Sequence, residues 1–299
     1  MISKILYRTR GFYYLTDNHE NIIESKIKRS LYKDKKNIPN PIVGDNVVFD
    51  LSGNEGEHGL ITEILPRESL LKRAKFGSHR EIIMAVNVDY CLIILPLKMP
   101  TFDLFQTLKV ITACYQGNVK PIVVLTKSDL VTDEERERQK KYFENIDIPA
   151  FVTSTLSPVE NDNLKNFIFS KQVTLCGISG AGKSSLINAM FPVLDLKTGE
   201  VNSRHSYGRH TTTMSRMFSP EEGYNITDNP GFKNFYLTGV ERKKLKLYYP
   251  VIRNYTDGCR MKDCEHVKES DCKILNLLGS NQLDPLIYEH YLTTLMNIS

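Results

Sequence analysis

The sequence predicts a multidomain α/β protein. Its expected parts are a small N-terminal β-barrel, a P-loop domain on a parallel sheet with its motifs in rotated order, and a helical C-terminal segment that holds a metal. Three observations predict this. Residues 1–70 break into short apolar strands punctuated by glycine, among them GFYYLTD, PIVGDNVVFD and GLITEILP. From residue 81 onward, apolar runs that end in polar or Gly-rich turns alternate with helix-length segments. Residues 259–272 read CRMKDCEHVKESDC, a dense run of metal-ligating residue types.

In the first segment, Val47-Val48-Phe49 and Leu60–Leu65 carry β-type patterning, and Gly44, Gly53 and Gly56 punctuate it. Short strands of this kind close naturally into a small barrel, and the OB-fold is a nucleic-acid-binding example. Charge is uneven. Residues 1–80 hold 14 Lys and Arg against 10 Asp and Glu, while the rest of the chain holds 25 of each. The stretch Lys26–Lys36 reads equally as a surface for a polyanion such as RNA or as a solvated loop. Residues Lys72–Arg80 read as a polar, basic connector.

The α/β segment follows. The runs VDYCLIILPL, PIVVLTKSD, QVTLCGISG and YNITDNPG read as strands, with helices expected over Phe102–Gln116 and Asp133–Asn145. Alternating strands and helices predict a parallel sheet with ligands at the carboxyl ends of its strands. Cys91, Cys114 and Cys176 fall in apolar contexts and read as core residues. Apolar residues make up 41% of the chain and charged residues 25%, ordinary for a globular protein. No apolar run approaches the ~20 residues of a membrane span. The charged amino terminus MISKILYRTR does not read as a signal peptide, so a cytoplasmic protein is expected.

The strand ends carry the chemistry. GISGAGKS fits G-x-x-x-x-G-K-[ST] with Gly177, Ile178, Ser179, Gly180, Ala181, Gly182, Lys183 and Ser184, and Ser185 continues into a helix. Glycines let a backbone wrap an anion so that successive N–H groups point at phosphate oxygens. Lys183 is expected to reach the β- and γ-phosphates of a nucleotide, and the Ser184 hydroxyl to bind Mg²⁺. TKSD supplies Thr126, Lys127, Ser128 and Asp129. A carboxylate at Asp129 accepts from the N1–H and exocyclic amine of guanine, a pair of donors that adenine lacks. The Lys127 stem can lie along the base. Taken alone, TKSD also fits an exposed acidic turn. Thr153 and Ser154 end the next strand and fit a loop supporting the ring.

DNPG ends the run YNIT. Asp228 is expected to hold Mg²⁺ through water, and the Gly231 N–H to sense a γ-phosphate. In GRHTTT, Thr212 is the expected third Mg²⁺ ligand. The order along the chain is base reader, ring support, phosphate loop, first switch, second switch. That is the order of a GTPase cut after its second switch and rejoined elsewhere, so the domain reads as a circularly permuted P-loop GTPase. Termini that lie close together make such permutation possible without disturbing the site. The expected domains are residues 1–70, 71–237 and 238–299.

The C-terminal run has the spacing C-x4-C-x-H-x5-C, with Cys259, Cys264, His266 and Cys272. Three thiolates and an imidazole suit a closed tetrahedral zinc site with no open position, hence a structural metal.

With these motifs in place, the sequence resembles the ribosome small subunit-dependent GTPase A family. The resemblance rests on IVGDNVVF and ILPRESLLKR, TKSD before GISGAGKSS, GRHTTT, DNPGF and the Cys/His element. It implies an OB-fold, a permuted GTPase domain and a zinc-binding domain. It further implies a factor that acts late in maturation of the small (30S) subunit. Such a factor binds 16S rRNA, helps other assembly factors leave, and departs after GTP hydrolysis to GDP. A cytoplasmic monomer is expected. Thr126 departs from the commoner Asn of the base-reading motif. Phe232 stands where many GTPases carry a water-orienting Gln, so slow unassisted hydrolysis is expected. His210 is the candidate to orient or activate the water, against a bland reading as a surface loop residue. Gly180 occupies the position of the loop Asn of potassium-activated GTPases. A competing reading is an RNA-binding module that uses guanine nucleotide as a structural ligand. A third is a large-subunit factor.

Overall fold

The structure is a computed structural model that describes residues 1–16, 21–29, 31, 40–52, 58–75, 77, 80–194, 215–229 and 234–298. Six strands open the chain: β1 (Ile2–Lys4), β2 (Tyr7–Thr9), β3 (Phe12–Thr16), β4 (Ile22–Ile27), β5 (Asn46–Ser52) and β6 (His58–Ile64). They form one sheet in the order β1-β5-β6-β4-β3-β2. The sheet curls until β1 meets β3. The Thr16 N–H donates to the Ser3 hydroxyl at 3.2 Å, and the Leu6 N–H to the Tyr14 carbonyl at 2.9 Å. Period-two alternation in β5 turns Val47 and Phe49 inward, where they pack with Ile5, Leu15 and Ile61, all fully buried. Beneath β5, the Arg67 guanidinium donates to both oxygens of the fully buried Asp45 carboxylate, at 2.7 and 2.8 Å.

The basic connector expected over Lys72–Arg80 is in part a strand. β7 (Leu70–Ala74) pairs antiparallel with β8 (Glu81–Val86). One face of this ribbon buries Leu71, Met84 and Ala85. Lys72 lies outside and pairs with Glu81 at 2.7 Å, so exposed charge masked the strand pattern.

The α/β part comprises β9 (Tyr90–Pro96), α1 (Leu104–Gln116), β10 (Lys120–Thr126), α2 (Asp133–Glu144), β11 (Ala150–Val152), α3 (Pro158–Ile168), β12 (Gln172–Cys176), α4 (Lys183–Met190), β13 (Arg216–Phe218) and β14 (Asn225–Asp228). Its sheet runs β11-β10-β9-β12-β14-β13. All neighbours are parallel except β13 against β14. Central β9 is covered on both faces. Leu92 and Ile94 point toward α3 and α4, and Cys91, Ile93 and Leu95 toward α1. That double burial explains its unbroken apolar run. The carboxyl ends of β10, β12 and β14 share one edge, which brings TKSD, the phosphate loop and Asp228 together. Caps fix the helix starts: Asp103 accepts from the Phe105 and Gln106 N–H groups, and Thr132 from that of Glu135.

The C-terminal part holds α5 (Leu245–Tyr248), α6 (Lys273–Gly279) and α7 (Pro285–Met296). Its Tyr249, Ile274, Ile287 and Tyr291 join the same core cluster as Leu108 and Ile111 of α1. The chain entering this part is clamped to α1. The Phe235 N–H donates to the Gln106 side-chain oxygen at 2.7 Å. The Gln116 amide donates to the carbonyls of Thr238 and Gly239 at 3.2 and 2.8 Å. Among the described residues, no helix is long and apolar enough to cross a membrane.

Candidate active site and metal centre

The phosphate loop spans Gly177–Gly182, from the end of β12 to the start of α4. A Cβ on Gly177 would lie 2.8 Å from the Ile94 carbonyl oxygen, so the close approach of β9 demands glycine there. Gly182, with φ +97, is in the left-handed region that favours glycine. The turn carries Ile178 and Ala181 inward and leaves Ser179 and Gly180 exposed, with Ser184 and Ser185 half-buried on α4. Lys183 folds back over the loop and donates to the carbonyls of Gly177 and Ile178 at 2.9 and 3.0 Å. Burial pushes the Lys183 pKa down, against the upward pull of Asp228 and Cys176. Burial raises the Asp228 pKa, opposed by Lys183 and by the Asn229 N–H. These two groups therefore feel each other across the edge of the sheet.

The base-reading segment is tied to this loop. The buried Thr126 hydroxyl donates to the Ala181 carbonyl at 2.6 Å. Lys127 adopts a left-handed backbone, φ 61, and its ammonium hydrogen-bonds the Met99 carbonyl. Ser128 is buried and donates to Glu160 at 2.9 Å. The exposed Asp129 accepts from the Ser154 hydroxyl at 2.5 Å. Ser154 is fixed in turn, since its carbonyl accepts from Asn161 at 2.7 Å. The Thr153 N–H donates to the Leu125 carbonyl at 2.8 Å, which seats this loop at the end of β10.

Sequence reasoning missed the group that seats Asp228. The Asn229 side chain donates to the Thr174 hydroxyl at 2.6 Å and accepts from Ser215 at 2.7 Å. Asn229 and Thr174 are buried, so this network pins the end of β14 to β12 and to the residue before β13. No local signal marks it, because its members are 55 and 14 residues apart. His210, Thr212 and Gly231 lie outside the described residues.

The four predicted metal ligands meet. The donor atoms of Cys259, Cys264, His266 and Cys272 all lie within 4.8 Å of one another. His266 Nδ1 is 3.5, 3.3 and 3.3 Å from the sulfurs of Cys259, Cys264 and Cys272. The sulfurs of Cys259 and Cys272 are 4.0 Å apart. A tetrahedral zinc with bonds of about 2.3 Å to sulfur and about 2.0–2.1 Å to nitrogen separates sulfur from nitrogen by roughly 3.5 Å and sulfur from sulfur by roughly 3.8 Å. The donor set fits zinc in kind and in size. Burial lowers the His266 pKa, with Lys246 adding to it and Glu269 opposing, which favours the neutral imidazole a metal needs. The surrounding loop is held by Tyr288 on the His266 carbonyl and Tyr291 on the Glu265 carbonyl, both at 2.8 Å. Glu269 accepts from the N–H groups of Glu265, Val267 and Lys268 at 2.7–3.0 Å.

The family model described as RsgA GTPase matches residues 64–238. The chain belongs to the RsgA GTPase family. Its relatives include proteins named small ribosomal subunit biogenesis GTPase RsgA. One from Bacillus pumilus is 32% identical, over 99% of this chain and 96% of its own length. One from Clostridium botulinum is 33% identical, over 100% and 97%. The fold of this RsgA GTPase family member matches the crystal structure of YjeQ from Thermotoga maritima, at a TM-score of 0.79 and 23% identity, covering 99% and 98% of the two chains. It also matches YloQ, described as a circularly permuted GTPase, at 0.75 and 25% identity, covering 99% and 94%. The rotated motif order of this chain is thus a circular permutation.

Proposed function

We propose that this chain hydrolyses GTP to GDP and phosphate on the small (30S) ribosomal subunit during its late maturation. The hydrogen bond from Thr126 to Ala181 carries the reading, because it joins a guanine reader to a phosphate loop. Asp129 pairs with the base, Lys127 lies along it, and Ser128, Thr153 and Ser154 hold the reader in place. The amides of Gly177–Ser184 receive the phosphates, and Ser185 continues the helix whose amino end they face. Lys183 leaves the loop carbonyls to meet the β- and γ-phosphates. Ser184, Asp228 and Thr212 would hold Mg²⁺, which supplies charge neutralisation when it is bound with GTP. His210 orients the attacking water, and the Gly231 N–H senses the γ-phosphate.

Zinc on Cys259, Cys264, His266 and Cys272 is structural. Residues 1–70 and 238–299 act as domains facing 16S rRNA, on either side of the GTPase domain 71–237. The protein works as a cytoplasmic monomer, and hydrolysis accompanies the departure of other assembly factors and of the protein itself.

The test is GTP turnover with and without purified mature small subunits. Slow turnover alone and a rise of at least about tenfold with subunits are expected, since positioning from outside replaces the missing Gln. Turnover that ignores small subunits would leave an RNA-binding module with a nucleotide ligand. A rise with large subunits instead would point to the other particle.

A further inference from the structure

On the edge of the parallel sheet opposite the nucleotide site lies a cleft of about 600 Å³. It opens where β9, β10 and β12 begin, at Tyr90, Lys120 and Gln172, and its far wall is the barrel strand β1. The five residues of β12 place it about 17 Å from the phosphate loop. Four cations line it: Lys4, Lys120, Lys171 and Arg253. None forms an ion pair among the described residues. Two acids, Glu68 and Asp89, also face the cleft. Asp89 is engaged, accepting from the Gln172 N–H at 2.8 Å.

Lys4 is half-buried, and its ammonium donates to the neutral side chain of Gln172 at 3.2 Å. Burial pushes its pKa down, and the upward pull of Asp89 and Glu68 does not restore it. A desolvated ammonium with one neutral partner is costly to hold. Two aromatic rings stand among the cations. Lys120 lies 5.6 Å from the Tyr90 centroid and Arg253 lies 3.9 Å from that of Tyr115. A groove with excess positive charge and interleaved rings is the chemistry that holds a single-stranded nucleic acid.

We propose that this cleft, between the barrel and the amino ends of the parallel strands, binds the phosphodiester backbone of single-stranded RNA. The proposal rests on the reading that this chain works on a ribosomal subunit. It adds a contact on the face that the nucleotide site does not use.

The experiment is a salt titration of the binding of a fluorescein-labelled, mixed-sequence, 20-nucleotide single-stranded RNA, read by anisotropy. It uses the full native chain and the double variant Lys120→Glu, Lys171→Glu. Both side chains are exposed and far from the nucleotide, so thermal unfolding and unassisted GTP turnover stay unchanged. Each phosphate contact contributes about 0.7 to the slope of log K against log salt. Losing two lowers the slope by about 1.4, and affinity at low salt falls at least about tenfold. An unchanged slope and affinity in a folded double variant overturns the proposal. Tripolyphosphate, added at the same phosphate concentration, is expected to compete poorly. If it displaces the RNA from the native chain at equal concentration, the cleft is a site for free polyphosphate and the RNA assignment falls. Naked RNA without subunits is the ligand, so failure here leaves subunit-stimulated turnover as a separate result.

Discussion

The Thr126 hydroxyl donates to the Ala181 carbonyl across 2.6 Å, joining residues that stand 55 apart in the chain. Through this bond a threonine does part of what a longer amide side chain does in the commoner form of the motif. Replacing Thr126 with Val keeps the shape and removes the donor. The Ala181 carbonyl is then left unpaired at a buried position, which costs about 1–3 kcal/mol. Affinity for GDP is expected to fall by roughly 5- to 150-fold, measured by isothermal titration, while the zinc content is unchanged from that of the native chain.

Asp129 offers two acceptor oxygens, one of them already meeting Ser154. Asp129→Asn turns one acceptor into a donor and opposes the guanine N1–H and amine. GDP binding is expected to drop by at least about 100-fold, within the range set by leaving polar groups unpaired. Xanthosine diphosphate, which presents a carbonyl in place of the amine, is expected to bind the variant better than GDP does. Competition against a fluorescent nucleotide reads both.

How much of this was legible in the sequence follows from distance along the chain. The phosphate loop, TKSD and the Cys/His run are local patterns whose spacing is dictated by one ligand each. The β7–β8 ribbon was not legible, because the charges of Lys72 and Arg73, next to it in sequence, hide the buried Leu71. The Asn229–Thr174–Ser215 network was not either, since each bond spans elements that meet only after folding. The same holds for Tyr288 and Tyr291, which brace the metal loop from 22 and 26 residues away.

The Cys/His cluster shares its core with the GTPase sheet, so loss of its ligands should be felt beyond the loop. Cys264→Ser is expected to abolish stoichiometric zinc, read by mass spectrometry. It should also lower the melting temperature, because closing such a site is worth ~10–16 kcal/mol in model peptides. Without metal, burial pushes the Cys264 thiol up to about 12, the neighbouring thiols adding to it and the His266 N–H opposing. A thiol with so high a pKa is protonated at neutral pH, so zinc must expel its proton. Zinc affinity of the metal-free protein is therefore expected to rise with pH between about 6 and 8, with protons released on loading. A chelator titration at several pH values measures it.

Arg67 and Asp45 come from two of the segments that carry the family resemblance, ILPRESLLKR and IVGDNVVF. Arg67→Met leaves the fully buried Asp45 carboxylate with the Ile42 N–H but no cation. Stability of the barrel is expected to fall by about 3–5 kcal/mol, as for other broken buried pairs. Urea unfolding followed by tyrosine fluorescence reports it, and GDP affinity should survive.

TKSD and the phosphate loop, in reverse of the usual order along the chain, grip one nucleotide between them, and a crystal structure of the GDP complex tests this most directly. The guanine edge is expected within hydrogen-bonding distance of the Asp129 carboxylate, with the diphosphate on the amides of Gly177–Ser184. A purine ring bound away from Asp129, or a diphosphate bound elsewhere than this loop, would contradict it.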